Sequence, residues 1–168
     1  IDSLDQMKID PTSGIFARAL RQVARAQSQL GDWAAAAATY EDLRKRMAAN
    51  PDALRQAFDN NAHWGMVALR AGNAEEARRV LANVVARNVQ MLGERHWDTA
   101  ISRGMLGAAK GRLNDTAGAL ADFDAAIPIL MQSSRQADDE EGGSAFRDNQ
   151  LKVVLEAAIR TLAASNRA

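Results

Sequence analysis

Val23-Ala24-Arg25-Ala26-Gln27-Ser28-Gln29-Leu30-Gly31-Asp32-Trp33-Ala34-Ala35-Ala36-Ala37-Ala38-Thr39-Tyr40 is a turn with its two flanks, and the chain writes this pattern three times. The turn tripeptides Leu30-Gly31-Asp32, Ala71-Gly72-Asn73 and Leu113-Asn114-Asp115 stand 41 and then 42 residues apart. Seven residues before each central position lie Ala24, Gly65 and Gly107, and five after it lie Ala36, Ala77 and Ala119. Both columns hold only the smallest side chains. Four residues further on, Tyr40, Leu81 and Phe123 form a column of bulk, and Val23, Trp64 and Leu106 form another just before the small residue. A small residue in each of two neighbouring helices lets their backbones approach closely, while large apolar residues one turn away fill the remaining space. The spacing predicts helix–turn–helix units, each stabilised by the next.

Composition agrees. Thirty-five alanines against a single tyrosine favour helix over sheet, because alanine has the best helix propensity and sheets draw on branched and aromatic residues. An all-α chain of 168 residues with 47% hydrophobic content has the length of one domain and enough apolar surface for a core. Its 21 basic and 21 acidic residues cancel, leaving no overall field to draw in nucleic acid or an anionic membrane. No run of about 18 apolar residues is present to span a bilayer, so no membrane insertion is expected. With no cysteine there are no disulfides, thiolate metal sites or cysteine nucleophile. That does not settle the compartment, although the reading favours the cytoplasm over the periplasm.

The repeated bulky residue, then Gly or Ala, then Gly-Asp at the turn, then Ala, resembles the tetratricopeptide (TPR) family over roughly residues 15–135. The period exceeds the 34 residues of the common form, and the extra length is similar to the long repeats of kinesin light chains and many bacterial proteins. Leu92-Gly93-Glu94-Arg95-His96-Trp97-Asp98-Thr99-Ala100 resembles the Leu-Gly-x-x-His-Pro-Asp-x-Ala linker of that variant, with Trp97 in place of the proline. The resemblance implies a right-handed superhelical α-solenoid of three TPR-like helix pairs plus a C-terminal capping helix.

Boundaries follow from breakers and caps. Residues 1–14 form an N-terminal lead in which Asp10-Pro11-Thr12-Ser13-Gly14 places a helix start near Ile15. The repeats occupy 15–50, 52–92 and 97–135, with Asn50-Pro51-Asp52 breaking the first from the second. Pro128 should kink or shorten the last repeat helix. Residues 136–145, acidic and glycine-containing, read as a flexible loop. In 146–168, Leu151, Val154, Leu155, Ala158, Ile159 and Leu162 recur at helical spacing, predicting a seventh helix that serves as a cap or as the first half of a fourth repeat. The chain lacks an initiator Met and stops after that helix, which suggests a piece of a longer protein. A weaker resemblance, centred on Lys152–Leu162, is to the helix that precedes caspase-like CHAT domains in bacterial proteins. The His–Cys pair of such a protease would lie outside this segment.

A search for chemistry within the segment is mostly negative. His63 follows Asp59 by four residues, a spacing that could orient an imidazole, but no Gly-x-Ser-x-Gly elbow supplies a nucleophile. His96 lies in the inter-repeat linker, where the resemblance implies a structural role. Two separated histidines without cysteine are a poor start for zinc. The stretch Gly104-Met105-Leu106-Gly107-Ala108-Ala109-Lys110-Gly111 lacks the Gly-Lys-Ser/Thr ending of a phosphate loop. Trp33, Trp64 and Trp97, with Met47, Met66, Met91, Met105 and Met131, fall in register positions that suit packing. No cofactor, metal or catalytic residue is expected here.

Binding is the better place to look, since the first helix of each pair lines the concave side of a repeat stack. Taking the turns as register, the groove candidates are Arg18, Arg21, Arg25, Asp59, His63, Met66, Arg70, Ile101 and Arg112. Ser28, Ala62, Gly104 and Ala108 share the same faces. Arg18, Arg21 and Arg25, three and four residues apart, occupy one helix face and could grip carboxylates bidentately. They could equally serve to keep an exposed end soluble. Ile101 and Met105 stand where the chaperone-type TPR clamp needs basic side chains, which disfavours chaperone C-termini. The expected activity is recognition of a protein or peptide partner, acidic in character, for an attached effector. The alternative is a self-contained adaptor or scaffold that forms homo-oligomers.

Overall fold

Each of the three tripeptides closes one helix and opens the next with the same bonds. At the first, Leu30 N–H donates to the Ala26 carbonyl, Gly31 to Ser28 and Asp32 to Gln27; at the third, Leu113 donates to Ala109, Asn114 to Gly111 and Asp115 to Lys110. The middle turn repeats the set with Ala71 to Val67, Gly72 to Leu69 and Asn73 to Ala68. This is the Schellman arrangement, which needs a left-handed residue just past the helix end. Gly31 at φ +80°, Gly72 at +95° and Asn114 at +63° supply it. The following Asp32, Asn73 and Asp115 then cap the next helix by accepting from the N–H groups of Ala35, Glu76 and Gly118. Such a cap contributes about 1 kcal/mol.

In the computed structural model, which describes residues 14–137 and 144–165, these turns join an all-α chain. Among the described residues there are eight helices and no strand: α1 (Gly14–Gln29), α2 (Trp33–Arg46), α3 (Pro51–Phe58), α4 (Ala62–Arg70), α5 (Ala74–Leu92), α6 (Trp97–Arg112), α7 (Thr116–Ala137) and α8 (Ser144–Ser165). No helix among them is long and apolar enough to cross a membrane. The N-terminal lead up to residue 13 and the acidic run 138–143 lie outside the described residues.

The helices pack as α1 on α2, α4 on α5 and α6 on α7, with α2–α4, α4–α6 and α5–α6 contacts joining the pairs. The repeated columns meet inside these pairs. A Cβ placed on Gly65 would stand 2.8 Å from Leu81 Cγ, and one on Gly107 would stand 3.0 Å from both the Ala119 carbonyl oxygen and Phe123 Cε1. Small residues therefore set how closely α4 meets α5 and α6 meets α7. Tyr40, Leu81 and Phe123 are all buried within one continuous core cluster that runs from Phe16 to Ala158. Met47, Met66 and Met105 are buried too, whereas Met91 and Met131 are exposed.

Three expectations need correction. The first helix of the second unit is broken, not continuous: Asp59 ends α3, and Asn61 caps α4 by accepting from Trp64 N–H at 3.0 Å. That break makes the C-terminal helix the eighth among the described residues, not the seventh. Adjacent asparagines favour such a break because their amides compete with helical backbone bonds. Of the kink or shortening expected at Pro128, the shortening is absent: α7 continues past it to Ala137. Helix also extends into both ends of the expected 136–145 loop, with α7 reaching Ala137 and α8 starting at Ser144.

Two glycines bring α8 against α6. A Cβ on Gly104 would stand 2.6 Å from Val154 Cγ1, and one on Gly111 would stand 2.7 Å from Thr161 Oγ1. Both contacts advance by seven residues together, so the two helices run in the same direction. In the linker before α6, His96 caps the helix by accepting from Asp98 N–H, and Trp97 takes the first helical position, one that proline favours elsewhere.

Candidate peptide-binding groove

The first-helix faces converge on two adjoining clefts. Arg18, Arg21 and Arg25 of α1 line one of about 400 Å³ together with Gln22, Tyr40, Asn61 and His63. Arg25 and His63 continue into a second of about 350 Å³, walled by Met66 of α4 and by Ile101 and Met105 of α6, with Gln150 of α8 at its edge. One side of the groove is therefore cationic and the other apolar. Among the described residues, none of Arg18, Arg21 and Arg25 has a carboxylate within ion-pair distance. Their donors are open to an incoming acceptor.

The groove is furnished with a fixed hydrogen-bond donor. Asn61 Oδ1 accepts from Trp64 N–H, so its amide nitrogen faces the Tyr40 hydroxyl at 3.5 Å while also donating to the Ala57 carbonyl at 3.0 Å. An amide nitrogen only donates. With Asn61 donating to its oxygen, the Tyr40 hydroxyl keeps its own hydrogen to donate in a hydrogen bond to His63 Nδ1, 2.9 Å away. On that assignment the neutral imidazole carries its hydrogen on Nε2, a donor on a side chain that lines both clefts. Burial, aided by the nearby charge of Arg25, lowers the His63 pKa to about 4, so the ring stays neutral at physiological pH. Burial also pushes Tyr40 up, against the opposing influence of Asn61, Arg21 and Arg25.

The other candidates lie elsewhere. Asp59, at the end of α3, accepts from Arg79 Nη1 at 2.7 Å and lines neither cleft. It does not orient His63, whose ring nitrogen is bound by Tyr40. Arg70 stacks its guanidinium 4.9 Å from the centroid of the Trp33 ring, and Arg112 donates to the Leu69 carbonyl. Both line a third cleft further along α4 and α6, which they share with residues of α8. The spacings His63, Met66, Arg70 on α4 and Ile101, Met105, Ala108, Arg112 on α6 keep the groove and this third cleft on common helix faces.

Sequence reasoning missed Tyr40 and Asn61 as groove residues. Tyr40 sits in the bulk column with Leu81 and Phe123, where it reads as packing alone; the signal was its hydroxyl, a polar atom in an otherwise apolar column. Among the described residues no three His, Asp or Glu side chains are grouped as a metal site requires. Compared with known proteins, the chain matches no family model, no curated protein and no solved structure.

Proposed function

We propose that this chain is a TPR-like, right-handed superhelical solenoid acting as a protein-interaction module, whose groove takes an extended peptide carrying acidic side chains beside an apolar one. The observation that carries the reading is the juxtaposition of three arginines lacking carboxylate partners among the described residues with an apolar wall of Met66, Ile101 and Met105, bridged by the neutral His63. Arginine grips carboxylates with paired donors, and the wall gives an adjoining side chain somewhere to bury apolar area, at about 25 cal/mol per Å². The third cleft lies beyond this groove. In the same reading the module is the recognition arm of a larger protein, with a CHAT-type protease as the effector that the resemblance implies.

An array of short peptides that varies Asp or Glu against Asn or Gln beside Leu or Met tests this. Selection of acidic–apolar sequences, lost when Arg21→Glu and Arg25→Glu are combined, is the expected result. A flat array, or a preference that the double variant leaves unchanged, would sink the reading.

A homo-oligomeric scaffold is the second reading, and one feature favours it. Ile159 and Leu162, three residues apart on α8, are 67% and 48% exposed. A second copy could cover them. A solution mass that stays monomeric across a wide concentration range would remove that alternative.

A further inference from the structure

The third cleft is small and positively charged, and it calls for an occupant of its own. Arg70 ends α4, Arg112 ends α6, and Arg160 reaches in from α8; the volume is about 260 Å³. None of the three has a carboxylate within ion-pair distance among the described residues. Two are nevertheless held in place, by neutral groups: Trp33 stacks on Arg70 and the Leu69 carbonyl accepts from Arg112. Such contacts position a guanidinium without cancelling its charge. Glu156, the carboxylate in this lining, lies 3.9 Å from Lys152 Nζ. Arg112 is held below its usual pKa by burial and then by the charges of Arg160 and Arg70, consistent with cations crowding one another.

Helix dipoles account for part of this arrangement. A helix C-terminus carries about half a negative charge, so the ends of α4 and α6 together offset about one of the three cations. With Glu156 counted, and its Lys152 partner 3.9 Å away outside the lining, about one to two positive charges remain. A carboxylate supplies one negative charge, whereas a phosphate monoester supplies about 1.5 to 2 at pH 7 with three acceptor oxygens. Asn114 and Thr116 add an amide and a hydroxyl to the lining. The volume falls below the roughly 300–1,000 Å³ of sites for drug-sized ligands and suits a single compact anion.

We propose that this cleft binds a phosphate group, gripped by Arg70, Arg112 and Arg160. The site is distinct from the peptide groove and does not rest on that reading. Its phosphate comes either from a small free phosphate or from a phosphorylated side chain, and the chemistry of recognition is the same for both.

The test is to titrate inorganic phosphate, with sodium chloride at matched ionic strength as control, while following backbone amide resonances. Saturable shifts at Arg70, Arg112 and Arg160 are expected with phosphate and not with chloride. Arg160→Glu, at an exposed residue with no ion pair among the described residues, should weaken phosphate binding about tenfold or more without changing the melting temperature. Arg70→Gln provides an independent second variant with the same expected direction. Identical shifts with chloride, or phosphate affinity unchanged in both variants, would overturn the proposal. A phosphoserine peptide binding more tightly than inorganic phosphate assigns the source to a modified protein, and weaker binding assigns it to a small molecule. Equal shifts at these residues from the unphosphorylated peptide would count against a phosphate site.

Discussion

On the α5 side of α4, charges are matched; on the α1 side, among the described residues, the groove arginines are not. Glu76 accepts from Arg44 at 2.7 Å, from Trp64 Nε1 at 3.0 Å and from Arg79, which in turn holds Asp59. Arg44 also lies over the Phe58 and Trp64 rings, at 4.8 and 5.3 Å. This network ties α2, α4 and α5 together around the α3–α4 break. Across α4, the arginines of α1 face a cleft without a carboxylate partner among the described residues. In a chain whose formal charges sum to zero, the location of unmatched charge says more about binding than the total does. Matched charges hold the helices together, and the unmatched ones are those that the proposed ligands would meet.

The largest effect should come from breaking the matched side. Glu76→Ala leaves Arg44 and the Trp64 indole without their acceptor at a position only 15% exposed, and should cost about 2 kcal/mol in chemical denaturation. Arg79 in the first place, together with Trp64 and Arg44, lowers the Glu76 pKa to about 2 from 4.5. Its contribution is therefore complete above pH 4.5 and fades as pH falls towards 2; the variant should lose that part of the acid transition. Next, the combined Arg21→Glu and Arg25→Glu change should lower acidic-peptide affinity about tenfold or more while moving stability by no more than about 0.5 kcal/mol. A large stability loss there would erase the contrast between the two sides.

At neutral pH a smaller effect belongs to His63. The folded protein holds its pKa near 4, below the ordinary 6.5, so the unfolded chain binds this proton first as pH falls. Stability from keeping the ring neutral is complete above pH 6.5 and declines down to about 4. His63→Gln should flatten the stability profile between those values and leave the lower Glu76 component in place. Smallest of all is Arg55→Ala, which removes an exposed pair with Asp52 on α3. Thermal melts should register no more than about 0.5 kcal/mol, as exposed pairs do.

Much of the helical framework was legible because it is written in residue size and turn chemistry. Gly31, Gly72 and Asn114 mark the ends of three helices, and the small column of Ala24, Gly65 and Gly107 marks close approaches; both depend on local sterics that a periodic sequence displays directly. The break at Asn60-Asn61 was not legible, since it carries neither glycine nor proline and depends on a side-chain cap. The groove was half legible. Helical register placed Arg18, Arg21, Arg25, His63, Met66 and Ile101 on inward faces, but the same register took in Asp59, Arg70 and Arg112. Separating these required knowing that Arg79 occupies Asp59, that Trp33 and the Leu69 carbonyl hold the two arginines, and that α8 brings Arg160 beside them. Those are contacts across about 20 to 90 residues of chain, which periodicity does not encode.

The three like-bonded turns also bear on how quickly the chain reaches this arrangement. Closing a helix pair through a loop of a few residues costs little entropy, and chains dominated by such near-neighbour contacts fold in microseconds to milliseconds. With equivalent turns at 30–32, 71–73 and 113–115, ordering can start at any of them and spread outwards. Like α6 on α4, α8 must return to α6 from beyond an intervening helix, and its seat is a pair of glycines that accept Val154 and Thr161. In pulse-labelled hydrogen exchange during refolding, amides of α8 should gain protection after those of α6 and α7, making the final helix the last stage of assembly.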